Sequence, residues 1–204
     1  MTLTAEEIEL LSNKSFYEQK IRATEKLKAL MHEIRLEYRS FINPSELYCP
    51  PETDFERGQI TKGENYEGYP YVILDFPKYF SKMEIFTFRT MFWYGHGLIF
   101  SVILAGERLP HYRARFTSNY DMLVQNGIVI GKRDMWDWRE EACLKLTTAN
   151  RTKTEKIQST LPFMKLISQY PPSVLANTQD VLSLAKTFYQ TIFTVISCQA
   201  ERGL

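Results

Sequence analysis

The feature that most constrains this fold is segment 83–106, where two long apolar runs flank a Gly-His-Gly tripeptide at 95–97. The second run, LIFSVILAG, is apolar and rich in β-branched residues, which is typical of a strand buried on both faces. The first run, MEIFTFRTMFWY, alternates with the period of a strand. One of its faces would carry Phe86, Phe88, Phe92 and Tyr94, and the other Thr87, Arg89, Met91 and Trp93.

The tripeptide predicts how these two runs are joined. A glycine on each side of His96 allows the positive φ angles that a three- to five-residue hairpin loop requires. We therefore expect a β-hairpin with His96 in its loop, where the histidine occupies a turn position and has no catalytic role.

Helical patterns lie on both sides of this region. Capping-box spacing at Thr4 and Ser15 predicts a short helix and then a longer one within the first 41 residues. The longer helix shows an apolar stripe of Phe16, Ala23, Leu27, Leu30, Ile34 and Tyr38. Its mixed-charge face predicts contact with solvent, and a coiled-coil partner helix is the alternative. A last helix should begin at Thr178, end near Cys198, and bury Val181, Leu184, Ala185, Phe188, Ile192 and Val195.

The remaining segments carry weaker patterns. GQI and Tyr69–Phe76 suggest strands, with Pro77 ending the second, and EACLKLTT suggests another. Apolar spacing between Glu107 and Gln125 predicts a helix face of Leu109, Tyr112, Phe116, Tyr120 and Leu123. The stretch from Thr152 to Gln169 is predicted to be helical with a break near Pro162.

These patterns predict one α+β domain over residues 1–204. It would be helical at 1–41, an irregular connector at 42–57, β-rich at 58–150 and helical at 152–200. An antiparallel β-sheet from the middle of the chain would be packed by the long N-terminal helix and a C-terminal helix.

The charge balance argues against two classes of partner, and the cysteine content indicates a cellular location. With 25 basic and 24 acidic residues, the chain lacks the field that attracts nucleic acid or anionic lipid, so we expect neither a nucleic-acid nor a membrane partner. The most apolar window, Ile85 to Leu104, contains Arg89 and is too interrupted to span a bilayer. Three scattered cysteines and an acidic N-terminus predict a cytoplasmic protein.

Recognisable catalytic and metal motifs are absent from the sequence. It contains no nucleophile elbow, phosphate-binding loop or dinucleotide fingerprint, and Cys143 lies beside acids that would raise its pKa. Its three histidines show no ligand spacing. We therefore predict no catalytic residue, no metal and no cofactor, and lean away from an enzyme.

Arg89 provides the strongest hint of a site, because a charge in an apolar strand needs a carboxylate or an anionic ligand. Asp75 or Glu84 would form an ion pair with it; alternatively Arg113 and Arg115 would join it in an anion pocket. Aromatic residues make up 14% of the chain and suggest a pocket for a planar ligand, although packing alone explains them as well. The candidate ligand-binding residues are Arg89, Trp93, Tyr94, His96, His111 and Arg113.

Two functions follow from this sequence. The first is a non-catalytic binding or interaction protein, as a homodimer or with another protein partner, favoured by the missing catalytic motifs and the abundant tyrosine and tryptophan. The second is a protein or enzyme that binds a small anionic or aromatic molecule in a pocket around Arg89 and His96. We favour the first function.

Overall fold

The computed structural model describes residues 2–198 and shows an α+β fold. The helices are α1 (Ala5–Ser12), α2 (Lys14–Phe41), α3 (Leu109–Ser118), α4 (Tyr120–Gln125), α5 (Arg151–Thr160) and α6 (Thr178–Ile196). The strands are β1 (Gln59–Tyr66), β2 (Tyr69–Phe80), β3 (Ile85–Trp93), β4 (Gly97–Ala105), β5 (Val129–Gly131), β6 (Cys143–Lys145) and β7 (Phe163–Tyr170).

All seven strands form one antiparallel sheet in the order β1-β2-β3-β4-β7-β5-β6. The first four strands form a meander of consecutive hairpins. Strand β7 then pairs along the whole of β4, from Ala105 opposite Phe163 to Leu98 opposite Tyr170. Every residue of β4 is buried, because the strand has a neighbour on each side and a covered surface above and below.

One face of the sheet carries the main core. Helices α2, α3 and α6 pack there, and α2 contributes Leu27, Met31, Ile34 and Tyr38 at helical spacing. The aromatic residues predicted to share one face of β3 lie in this core: Phe86, Phe88 and Phe92.

The opposite face carries a smaller cluster around Met91, Trp93, Ile99 and Ile103. Instead of a helix, residues 132–142 lie over this face, and we call them the cover segment. Trp138 from the cover segment belongs to the cluster and is 5% exposed. This second layer contains the candidate site.

The predicted antiparallel sheet, the two N-terminal helices and the helix from Thr178 are confirmed. The face predicted for residues 107–125 is also confirmed, as all five of its side chains are buried. In the stripe predicted for α2, by contrast, Phe16 and Ala23 are exposed, because the first part of this helix lies beyond the body of the domain. The part of the predicted C-terminal helical region after residue 198 lies outside the described residues.

The prediction of helix up to Gln169 is wrong, since Phe163–Tyr170 is strand β7. Phe163 to Ser168 are all buried, so this strand shows no alternation of polar and apolar residues. Its partners, β4 and β5, are also distant in the sequence. Strand β2 likewise continues past Pro77 to Phe80, with the proline at a shift in register between Asp75 and Lys78. Of EACLKLTT, only Cys143–Lys145 is a strand.

Within residues 2–198, no helix is both long enough and apolar enough to cross a membrane.

Candidate functional site

A cleft of about 720 Å³ opens on the covered face of the sheet, at the end where the β3–β4 hairpin turns. Its floor is apolar and comes from adjacent strands: Ile99 of β4, Ile167 of β7 and Val129 of β5. Trp93 and His96 form one side, and Trp138 with the residues that follow it forms the other. An apolar floor, aromatic side chains on the walls and a few polar groups are the usual composition of a small-molecule site.

His96 lies flat on Trp93. The ring centroids are 3.5 Å apart with 14° between the planes, and Tyr69 meets the same imidazole edge-on at 4.9 Å. Trp93 is itself fixed, because its indole N–H donates to the carbonyl of Tyr66 at 3.2 Å. The exposed histidine therefore extends a rigid aromatic wall towards solvent.

The predicted glycine requirement of this turn is confirmed. Gly95 has φ +78° and Gly97 has φ +126°, and both angles are unfavourable for residues with a Cβ. A Cβ on Gly97 would also collide with the carbonyl oxygen of Tyr170 on β7. The two glycines thus hold the turn close to β7 and place His96 over Trp93.

The inner wall of the cleft depends on Trp138. Its backbone N–H donates to the hydroxyl of Tyr66 at 2.9 Å, and Lys165 Nζ lies 4.8 Å from the centre of its ring. The indole N–H of Trp138 is buried and has no acceptor among the residues that the structure describes. A buried donor without a partner is unusual, because it has lost its bond to water.

Lys165 anchors the cover segment from below. The residue is fully buried, and its ammonium donates to the carbonyls of Asp134 at 3.1 Å and Asp137 at 2.5 Å. Burial lowers the pKa of Lys165 to about 8. Gly131 makes room for it, because a Cβ there would collide with the lysine side chain.

Asp137 and Arg139 set the charge at the outer end of the wall. Arg139 donates to both carboxylate oxygens of Asp137, at 3.0 and 2.7 Å, and this pairing lowers the pKa of Asp137 to about 2. Burial raises the pKa of the neighbouring Tyr66 phenol to about 12. The lining of the cleft therefore carries charges of both signs, while its floor of Ile99, Val129 and Ile167 is apolar.

Arg89 lies on the same face of the sheet, beneath the cover segment and away from the cleft lining. Its guanidinium donates twice to the carboxylate of Asp75, each time at 2.8 Å, which is the ion pair predicted from the sequence. Trp136 lies 4.7 Å and Trp138 5.4 Å from this guanidinium. The other predicted partner, Glu84, pairs with Arg108.

The structure does not bring the six sequence-predicted residues into one pocket. Trp93 and His96 line the cleft, whereas Tyr94 packs on Phe92 and contacts Thr24 of α2 through its hydroxyl at 2.5 Å. His111 and Arg113 lie on α3, on the helical side of the sheet. Nε2 of His111 is 3.1 Å from the carbonyl of Ser197, and Arg113 donates to the carbonyl of Leu161.

Sequence reasoning did not identify Trp138 and Lys165 as site residues. Trp138 lies in an irregular segment that has no periodicity, and Lys165 lies in the strand predicted to be a helix. One usable signal was present. A lysine within the run FMKLIS needs polar partners if that run is buried.

The residues that line the cleft suit ligand binding better than catalysis. Cys143 lines it, and burial raises the pKa of this thiol, which disfavours the reactive thiolate. No group of three or more potential metal-ligating side chains occurs between residues 2 and 198. Comparison with family models, with curated proteins and with solved structures finds no match to this chain.

Proposed function

We propose that this chain is a non-catalytic binding protein whose cleft takes a small planar molecule, mostly apolar, with a hydrogen-bond acceptor on its ring. The observation that carries the proposal is the buried indole N–H of Trp138, which lacks an acceptor in the wall of an aromatic-lined cleft. Because this N–H is shielded from solvent as the cleft stands, a ligand acceptor bonds it after the Trp138 indole turns towards the cleft, and the ligand ring then contacts Trp93 and the floor.

The cleft favours a neutral aromatic ligand over an anionic one. Asp75 already neutralises Arg89, and Trp136 covers its guanidinium, so an anion would have to displace a buried carboxylate. The cations that do reach the cleft, Arg139 and Lys145, lie among the acids Glu67, Glu140 and Glu141. We further propose a cytoplasmic location, which the free thiols of Cys49, Cys143 and Cys198 support.

Two isosteric probes test the ligand class. Quinoline and naphthalene have the same shape, and only quinoline carries a ring acceptor. We expect both to quench tryptophan fluorescence on binding, with quinoline bound about fivefold more tightly, the worth of one hydrogen bond. Native mass spectrometry of protein purified without added ligand would reveal any molecule already bound.

Trp138→Phe keeps an aromatic ring and removes the N–H, so it should abolish the preference for quinoline. Trp136→Phe is the matched control, because Trp136 is 37% exposed and lies outside the cleft lining. The proposal fails if neither probe binds, or if Trp138→Phe leaves the preference unchanged. Thermal unfolding of each variant shows whether the fold is retained.

A further inference from the structure

The apolar surface of this protein is concentrated at its N-terminus. Among residues 2–198, thirteen large apolar side chains are exposed, and seven of them lie between Leu3 and Ile21. They include Ile8 and Leu11 on α1 and Phe16 and Ile21 on α2, exposed by 47 to 63%. We call residues 3–26 the N-terminal arm. Exposed apolar side chains concentrated in one segment mark an interaction surface.

The arm projects beyond the body of the domain. Contact begins where Lys20 pairs with Glu64 at 3.0 Å and Thr24 meets Tyr94, and the first buried side chain of α2 is Leu27. The six residues of α2 before Lys20 therefore extend roughly 9 Å beyond this first contact, at 1.5 Å per residue. Phe16 continues the stripe that α2 buries further along, and here nothing in the described chain covers it.

Helix α1 buries no side chain against the described part of the chain. It contains eight residues and none is buried, although an isolated helix shorter than about 12 residues is marginal in water. Only Asn13 separates it from α2, and packing two helices antiparallel requires a loop of about 2 to 5 residues. Because its link is too short for α1 to fold back on α2, neither helix covers the other, and the described part of the chain leaves both apolar surfaces exposed.

The charges of the arm are complementary to each other. Helix α1 carries Glu6, Glu7 and Glu9 and no basic residue. Within the arm, residues 14–26 of α2 carry four basic side chains and two acidic ones. Because α1 is acidic and the start of α2 is basic, contact between these two helices would bring opposite charges together.

We infer that two copies of this chain pair through their N-terminal arms, with α1 of each copy lying on the first half of α2 of the other. Two-fold symmetry makes both contacts equivalent, so the acidic helix of each copy meets the basic helix of its partner. The apolar side chains of both arms are then buried together. An anionic membrane is a poorer occupant, because the acids of α1 would be repelled from it.

Charge reversal of the full chain tests this arrangement. One variant carries Glu6→Lys and Glu9→Lys in α1, and the other carries Lys14→Glu and Lys26→Glu in α2. Glu7 and Lys20 stay unchanged, because Glu7 caps its helix and Lys20 pairs with Glu64. Sedimentation equilibrium should show a dimeric parent, and each variant alone should dimerise with a dissociation constant raised about tenfold or more.

Mixing the two variants gives the decisive result. In a mixed dimer both contacts again join opposite charges, so dimerisation should return, which a merely misfolded arm would not show. Ile8→Ser with Leu11→Ser should dissociate the dimer without rescue. A monomeric parent overturns the inference, as does a dimer that none of these variants weakens. Sedimentation of the monomer with phosphatidylcholine vesicles, with and without phosphatidylserine, would assign the arm to a membrane instead.

Discussion

Asp75 and Arg89 lie directly opposite each other on β2 and β3, and their side chains form a two-hydrogen-bond ion pair beneath the cover segment. The carboxylate is 7% exposed and the guanidinium side chain 14%. Thr87 adds a third donor to the carboxylate at 3.3 Å. Register, and not proximity in the sequence, therefore sets the partner of this arginine.

Arg89→Met should lower the free energy of unfolding by about 3 to 5 kcal/mol, because it leaves a buried carboxylate without its cation. Replacing both partners, with Asp75→Leu added, should recover most of that loss. Urea unfolding followed by circular dichroism measures both variants. A single variant as stable as the parent would show that water reaches Asp75.

Lys165 should contribute a rise in stability between about pH 8 and 10, against the opposite contribution of groups such as Cys49 and Tyr189, whose pKa values burial raises. Burial holds the pKa of this lysine at about 8, against 10.5 as its ordinary value. Below pH 8 Lys165 is charged in both the folded and the unfolded protein, and burying this charge lowers the stability of the folded state. As pH rises above 8, the unfolded state still binds the proton while the folded state does not, so the free energy of unfolding increases by up to roughly 3 kcal/mol.

Lys165→Met should remove this slope, with the exposed Lys153→Met as its control. Both are best measured in a Cys143→Ala background. Burial raises the pKa of that thiol, so its titration lowers stability over a similar range of pH. An unchanged slope in Lys165→Met would assign the pH dependence to another group.

Gly97→Ala should destabilise the protein by about 3 kcal/mol or more, because a positive φ and a collision with the carbonyl of Tyr170 act together. Gly95→Ala isolates the backbone effect. Its φ is also positive, but its Cβ would make only ordinary contacts of 3.6 and 3.7 Å with Tyr69, so we expect a loss of about 1 kcal/mol. Thermal unfolding distinguishes the two, and equal losses would rule out the collision.

Tyr120→Phe should cost about 1 to 3 kcal/mol, because it removes a hydroxyl that lies within hydrogen-bonding distance of three oxygen atoms in a part-buried site. These are the carbonyl of Thr147 at 3.0 Å, Oδ1 of Asn150 at 3.0 Å and Oγ1 of Thr154 at 2.9 Å. Tyr17→Phe, on an exposed stretch of α2, is the control and should be neutral in unfolding experiments. A neutral Tyr120→Phe would mean that water replaces the hydroxyl.

Local patterns predicted the elements that depend on near neighbours. The β3–β4 hairpin, with His96 between two glycines, follows from period and turn chemistry alone. The ion pair of Arg89 was predictable because a charge in an apolar strand needs a partner, and Asp75 lay at the end of the preceding strand segment.

Elements that depend on distant partners were not predictable in this way. Strand β7 forms because residues 163–170 pair with residues 98–105 of β4. The local sequence of residues 163–170 does not reveal this distant partner. The cleft has the same origin, since its sides combine Trp93 with Trp138 across the sheet. The predicted grouping of His111 with His96 assumed that nearness in sequence means nearness in space. In the structure, His96 lies on the covered face of the sheet and His111 lies on α3, on the helical face.

The place of β7 beside β4 also bears on how the chain is synthesised. The meander of β1 to β4 is complete by residue 105, but β7 starts only at residue 163. Until β7 emerges from the ribosome, β4 presents an unpaired edge of nine residues that are apolar except for Ser101, and such an edge is a template for pairing with other chains. Premature termination between these strands would therefore yield an aggregating fragment, and folding in the cell would depend on protecting that edge during translation.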